Sequence, residues 1–348
     1  MSGRRAVLLS LALLDSSALY FVSYDGVVNN NSLQQEAILT HKGHQYATWY
    51  TASRHAVIGR RPVGGSRWET VTLPHRLSVD DSHNVISLGI SPQDDTVHVA
   101  LDTHNTRLHY LRSTPGLAGG GQPWRAIAFG QVRRTLGEVE LGAMTYPRFV
   151  VTPEGRLQFS YRTGGSGNGV NELAEYSGGT WRKLGAWTSA TGSYTGPNGV
   201  VSGTRNMYLH GLTYDRRGRL HAAFTWREGN AGVLCARGGL TNHDTGYVYS
   251  DDRGRAFHLV RGADGGWTKR EVPVAPNHTQ RSKIVLGRLE SAYLVLPGGW
   301  IVAASKASGW TDWRLVFDGA GLRAFGEVSV DASRLGTQGI LSVQYQQT

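Results

Sequence analysis

The chain has 348 residues, 40% of them hydrophobic, with 46 glycines, 10 tryptophans and a single cysteine. That balance suits many short strands and tight turns around a sizeable core, and it excludes a disulfide framework or a thiolate metal cluster. A formal net charge of +10 is spread along the chain without a Lys/Arg run, an RNP-like pattern or a zinc finger. Basic proteins bind nucleic acid or acidic polysaccharides, and the missing patterns argue against nucleic acid.

In chain order, residues 1–20 come first. Arg4-Arg5, the apolar run Ala6 to Leu14 and Ser16-Ser17-Ala18 fit a short secretory leader, and they equally fit a first strand. The leader reading predicts a secreted or periplasmic protein. No stretch is long enough to span a membrane. From residue 21 to 348 no linker or composition shift marks a second domain, so one domain, acting as a monomer, is expected.

Within that domain apolar residues alternate in short runs, as in Val97-His98-Val99-Ala100-Leu101 and Leu157-Gln158-Phe159-Ser160-Tyr161, which is the period of half-buried strands. No helix is expected. Turns rich in Asp, Pro and Gly precede strands at Thr152–Leu157, Tyr214–Leu220 and Leu296–Ile301, as hairpins require. Thr188 to Val201 reads as a surface loop. Cys235 in Gly232-Val233-Leu234-Cys235-Ala236 reads as a small apolar residue in a buried strand. Ser250-Asp251-Asp252-Arg253-Gly254-Arg255-Ala256-Phe257 fits the Asp-box turn S-x-D-x-G-x-x-[WF]. Such units recur roughly every 45–50 residues, a propeller-blade period. The fold expected is all-β, a single seven-bladed β-propeller whose closed ring removes exposed edges.

Four side chains stand out as candidates for chemistry. His83 in Asp81-Ser82-His83-Asn84 and His104 in Asp102-Thr103-His104-Asn105 flank one hairpin. Tyr146 in Thr145-Tyr146-Pro147-Arg148-Phe149 and Arg162 in Tyr161-Arg162 lie on the two strands of another. Two imidazoles, a phenol and a guanidinium at one place make a proton-transfer site with an anion clamp. Each has a plainer reading: a strand histidine is usually structural, Tyr146 can pack on Pro147, and Arg162 can pair with Glu138 or Glu140. The structural reading is kept for His98, His109 and His221. Asn206, Tyr208, His210 and Arg227 are candidate sugar-binding residues, since aromatic faces stack on sugar rings and Arg binds carboxylates or sulfates. His41 and His44 have metal-like spacing but no third ligand at a matching distance, so no metal ligand set is assigned. No organic cofactor is implied. A structural calcium ion fits a propeller channel, although no D-x-D-x-D-G loop is present.

The ordered set Gln45-Tyr46-Ala47-Thr48-Trp49-Tyr50, Gly59-Arg60-Arg61, Asp81–Asn84, Asp102–His104, Thr145–Phe149, Tyr161–Gly167, Arg205-Asn206-Met207-Tyr208, Thr225-Trp226-Arg227-Glu228 and the Asp box resembles the BNR-repeat propeller polysaccharide lyases. These are the ulvan lyases and L-rhamnose-α-1,4-D-glucuronate lyases. The resemblance covers roughly residues 25–260. It implies a propeller with the site at one mouth of the channel, His83, His104, Tyr146 and Arg162 at catalytic positions, and a uronate–rhamnose glycan as substrate. Cleavage at C4 of the uronate by β-elimination would then leave an unsaturated sugar. In that scheme Arg162 holds the carboxylate, Tyr146 and His83 form the base and acid pair, and His104 positions or makes a second proton transfer. Two other readings stand beside it: a rhamnosidase-like or sialidase-like hydrolase, and a non-catalytic propeller that binds acidic glycan.

Overall fold

The computed structural model describes residues 12–20, 22, 27–29, 36–196, 199–229, 241–250, 258–259, 273, 282–287, 291–308 and 312–347. The Asp box after Ser250, Cys235 and the apolar run up to residue 11 lie outside the described residues.

Antiparallel sheets follow one another along the chain. The first is β1 (Ile38–His41), β2 (His44–Tyr50), β3 (His55–Pro62) and β4 (Glu69–Arg76). Next come β5 (Ile86–Ile90) and β6 (Val97–Leu101). Strand β7 (His104–Arg107) then leaves for the following sheet, and β8 (His109–Arg112) completes the second sheet as β5-β6-β8. The third sheet is ordered β12-β11-β10-β9-β7, with β9 (Ala143–Val151), β10 (Leu157–Gly165), β11 (Asn168–Ser177) and β12 (Thr180–Ala186). The fourth runs β13 (Thr191–Thr195), β14 (Val201–Tyr214), β15 (Leu220–Glu228), β16 (Thr241–Ser250) and β17 (His258–Leu259). The fifth holds β18 (Lys283–Leu286), β19 (Ser291–Val295), β20 (Ile301–Ser305) and β21 (Arg314–Phe317). The sixth pairs β22 (Ala324–Asp331) with β23 (Ser342–Gln347) across a short helix, α1 (Ala332–Gln338).

The inner strands meet in ring order: β1 with β5, β5 with β9, β9 with β14, β14 with β18, β18 with β22, and β22 back to β1. This is an all-β propeller, but of six sheets among the described residues rather than the seven expected. The period estimate failed because the units are unequal. Residues 113–142 between β8 and β9 carry two 3-10 turns, Leu117–Gly119 and Ala126–Phe129, instead of another blade strand. Two smaller expectations are also corrected. The segment Thr188 to Val201 contains β13, paired to β14, and α1 is a helix where none was expected. Its N-cap is Asp331, which accepts from the Arg334 amide.

Asp331 also closes the ring. It is fully buried, and it accepts from Thr40 N at 3.1 Å and Thr40 Oγ1 at 2.5 Å on β1. Among the described residues, no helix is long and apolar enough to cross a membrane.

The second and third sheets pack tightly, and this packing positions the site. A Cβ on Gly89 of β5 would lie 2.6 Å from the Phe149 ring of β9, so only glycine lets the two strands approach this closely. His98 of β6 is fully buried beside that ring, bonded to Thr96 Oγ1 at 2.7 Å and to Tyr110 Oη at 2.6 Å. Its role is structural, as the sequence suggested. Burial pushes its pKa down to about 3. The unfolded chain, with His near 6.5, therefore takes up this proton first on acidification. The stability His98 contributes is complete above about pH 6.5 and is lost as pH falls toward its folded value. We expect the urea midpoint to fall between about pH 7 and about pH 4, and His98→Gln to flatten that dependence. An unchanged slope in the variant would remove His98 as the cause.

Candidate active site

The β5–β6 hairpin pairs Ile86 with Leu101 and Ile90 with Val97, so the segments before β5 and after β6 emerge side by side with His83 and His104. The chain then changes sheets. Asp102 and Asn105 have φ of 50° and 51°, conformations that non-glycine residues rarely adopt. Between them β7 pairs His104 with Thr145 of β9. Tyr146, the next residue, has φ 60° and sits in a bulge: β10 pairs Ser160 with Arg148 and Arg162 with Thr145, with a register shift between. Ser87 Oγ donates to the Pro147 carbonyl at 2.5 Å and holds the bulge against β5. Three left-handed residues within one site store strain, each on the order of 1 kcal/mol or more, that the surrounding sheets must hold.

The result is a compact constellation. The His83 and His104 rings stack at 4.3 Å, and Tyr146 lies 6.2 and 6.5 Å from them. Arg162 is 3% exposed, with its Cζ 4.9 Å from the Tyr146 ring centre. The four residues singled out in the sequence therefore converge. Arg162 does not pair with Glu138 or Glu140. It donates to Tyr208 Oη at 3.1 Å, and to Asn105 Oδ1 and Thr145 Oγ1 at 3.2 Å each.

Asp81 organises the imidazoles. Its Oδ1 meets His83 Nδ1 at 2.6 Å and its Oδ2 meets His104 Nδ1 at 2.5 Å. Burial raises its pKa, but the His83 amide and both imidazoles outweigh that and hold the carboxyl below its usual range. A carboxylate only accepts, so both Nδ1 atoms carry hydrogen and Nε2 is the basic nitrogen of each neutral ring.

Of the candidate binding residues, Tyr208 and Asn206 line the same pocket as Tyr146, Arg148, Arg162 and Asn171. Asn206 is fully buried, and both its amide atoms lack hydrogen-bond partners among the described residues. A buried amide left unpaired is costly, so a ligand in this pocket would recover two bonds. Arg227 stands at the rim, where it donates to Ser166 Oγ and Tyr208 Oη at 3.0 Å each and to Asn242 Oδ1 at 2.8 Å. His210 turns instead to Thr225 Oγ1 at 2.6 Å on β15. Sequence reasoning missed the bridging role of Asp81, although an acid two residues before each histidine was visible. It also missed Asn105, Thr145 and Ser166, ordinary polar residues with no spacing signal.

Potential ligand atoms cluster within 4.8 Å at Asp81/His83/His104 and at His75/Asp102/His109. In the first, both carboxylate oxygens are already engaged by imidazoles. In the second, Arg134 Nη1 lies 2.5 Å from His109 Nε2, an unfavourable neighbour for a cation. His41 is held by Asp95 at 2.7 Å.

Asp81→Asn should release the tautomer lock. In nitrogen-15 spectra of histidine rings, His83 and His104 should show hydrogen on Nδ1 at mildly alkaline pH, and the variant should shift toward the Nε2–H form. An unaltered spectrum would contradict the bridging role of Asp81.

Comparison with known proteins agrees with this architecture. An ulvan lyase, long isoform, of Pseudoalteromonas sp. (strain PLSV) is 24% identical over 238 residues, which cover 57% of this chain and 23% of that protein. The chain thus matches about a quarter of that relative's length. The solved structure of polysaccharide lyase Uly1 superposes with a TM-score of 0.59 at 17% identity, covering 94% of this chain and 81% of that one. An ulvan lyase bound to -[GlcA(1-4)Rha3S]- gives a TM-score of 0.51 at 11% identity, covering 90% and 77%. At these identities the superpositions establish the propeller fold. The model described as "BNR repeat-containing family member" matches residues 44–288, a span that contains every strand lining the pocket, and the chain belongs to that family.

Proposed function

We propose that the protein is a polysaccharide lyase that cleaves at C4 of a uronic acid, with rhamnose as the neighbouring sugar, by β-elimination. The observation that carries this reading is a buried guanidinium, Arg162, with no carboxylate among its described acceptors, beside a phenol and two carboxylate-bridged imidazoles. The ulvan lyase relatives support the choice of glycan.

Elimination needs the C5 proton removed while the adjacent carboxylate absorbs developing charge. Arg162 matches that charge with a fixed cation in a site shielded from water. Tyr146, fixed over the guanidinium by its bulge, is placed to take the C5 proton. The electron pair of the C5–H bond becomes the C4–C5 double bond, and the C4–O bond breaks toward the leaving sugar. An imidazolium of the His83/His104 pair gives that oxygen its proton, while Asp81 balances the imidazolium. Asn206 supplies both a donor and an acceptor to the bound uronate.

Incubation with a panel of uronate glycans should release products with the ultraviolet absorbance of an unsaturated uronate. Tyr146→Phe should lower that rate about 10²–10⁴-fold with the fold retained by circular dichroism. Saturated products with new reducing ends would identify a hydrolase instead. Retention of glycan with no new ends would identify a binding propeller, and near-normal elimination by the Phe variant would remove Tyr146 as base.

A further inference from the structure

Tyr208 first suggested itself as a sugar-stacking residue, yet its hydroxyl is crowded by donors. Arg162 Nη1 from β10 stands at 3.1 Å, and Arg227 Nη1 from β15 at 3.0 Å. Ser166 Oγ, in the β10–β11 turn, stands at 3.0 Å. Tyr146 from β9 is a fourth neighbour, its ring centre 5.7 Å from that of Tyr208 in an edge-on arrangement. A guanidinium has no acceptor, so Arg162 and Arg227 must both donate. They fill the two lone pairs of a neutral phenol. Ser166 Oγ accepts from Arg227 Nη1 at 3.0 Å, and its own hydrogen is free to turn to Tyr208. With both lone pairs so filled, a neutral phenol can accept nothing further from Ser166 or Tyr146, whereas a phenolate, with a further lone pair, can accept from them as well.

Charge points the same way. Both guanidiniums lie near the Tyr208 ring, their Cζ atoms 5.8 and 4.0 Å from its centre. The nearby acid of β15, Glu228, is engaged by Arg205 at 3.2 Å and by His243 at 2.9 Å. One phenolate and one substrate carboxylate would together balance the two guanidiniums.

Resting on the lyase reading above, we propose that Tyr208 is the resident anion of the site and the terminal proton acceptor, with Tyr146 as the relay between it and the substrate. The Tyr146 hydroxyl proton passes to the Tyr208 oxygen as the Tyr146 oxygen takes the C5 proton. The C5–H electron pair forms the C4–C5 double bond, and the C4–O pair leaves with the sugar oxygen, which is protonated by an imidazolium. Tyr208 ends protonated and one histidine neutral, and exchange with water restores both. Burial by itself raises the Tyr208 pKa. The Arg162 and Arg227 charges, with the bonds from Ser166 and Tyr146, outweigh burial and bring it below the usual phenol value.

The first test needs no substrate. Ultraviolet titration of the intact chain should show one tyrosinate forming below the ordinary tyrosine range. Tyr208→Phe should remove that component, and Arg227→Gln, altered only at the rim, should move it to higher pH. Superimposable curves for the parent chain and both variants would overturn the proposal. On a cleaved glycan, Tyr208→Phe should lower kcat/KM about 10²-fold or more, and Arg227→Gln should move the acidic limb of its pH profile upward. A limb that stays in place while the tyrosinate shifts would overturn the relay. If the parent chain yields no unsaturated product from any glycan, the lyase reading fails and the relay with it, while the titration still reports the phenolate independently.

Discussion

A buried cation with no carboxylate beside it is the constraint on which the site depends. Arg162 is almost fully enclosed, yet the oxygens it reaches belong to Tyr208, Asn105 and Thr145. Burying a guanidinium away from a carboxylate is costly unless another group or a ligand balances its charge. The fold tolerates this because two aromatic faces, Tyr146 and Tyr208, lie against the charge and because the surrounding sheets leave it little freedom to move. A site arranged in this way gains most when an anion enters, and that differential is what both uronate binding and elimination require.

The neighbouring imidazoles follow the opposite rule. A carboxylate, Asp81, already stands beside them, shared between both Nδ1 atoms. Within one pocket, then, a guanidinium stands without a carboxylate while two imidazoles share one. On the proposed lyase reading, this asymmetry separates the group that would bind charge from the groups that would move hydrogen.

The geometry is held by a strand that changes allegiance. After hairpin β5–β6 the chain could have continued in its own sheet. Instead β7 joins β9 of the next sheet, and the left-handed residues Asp102 and Asn105 make the change of direction. This brings His104 beside Thr145, one residue from Tyr146. The Tyr146 bulge, pinned by Ser87, then turns the phenol toward Arg162. Close approach at Gly89 and Phe149 fixes the distance between the two sheets. Strain is concentrated where catalysis would need precise placement, and the tightly packed β5 and β9 contain it.

Much of this was legible in the chain. Alternating apolar residues and Gly-Pro-Asp turns gave the strands and hairpins, because side-chain period and turn conformation are local properties. The hairpins carrying His83, His104, Tyr146 and Arg162 were readable for the same reason. Blade number was not, because unequal connections such as residues 113–142 blur a mean period, and ring closure through Asp331 joins residues far apart in sequence. Nor could sequence reveal that Asp81 bridges two imidazoles, or that Ser166, Arg162 and Arg227 all meet the Tyr208 oxygen. Those bonds depend on side chains from four strands and a turn meeting in space. Local chemistry was written along the chain, whereas the balance of charge in the pocket was decided only when the sheets closed around it.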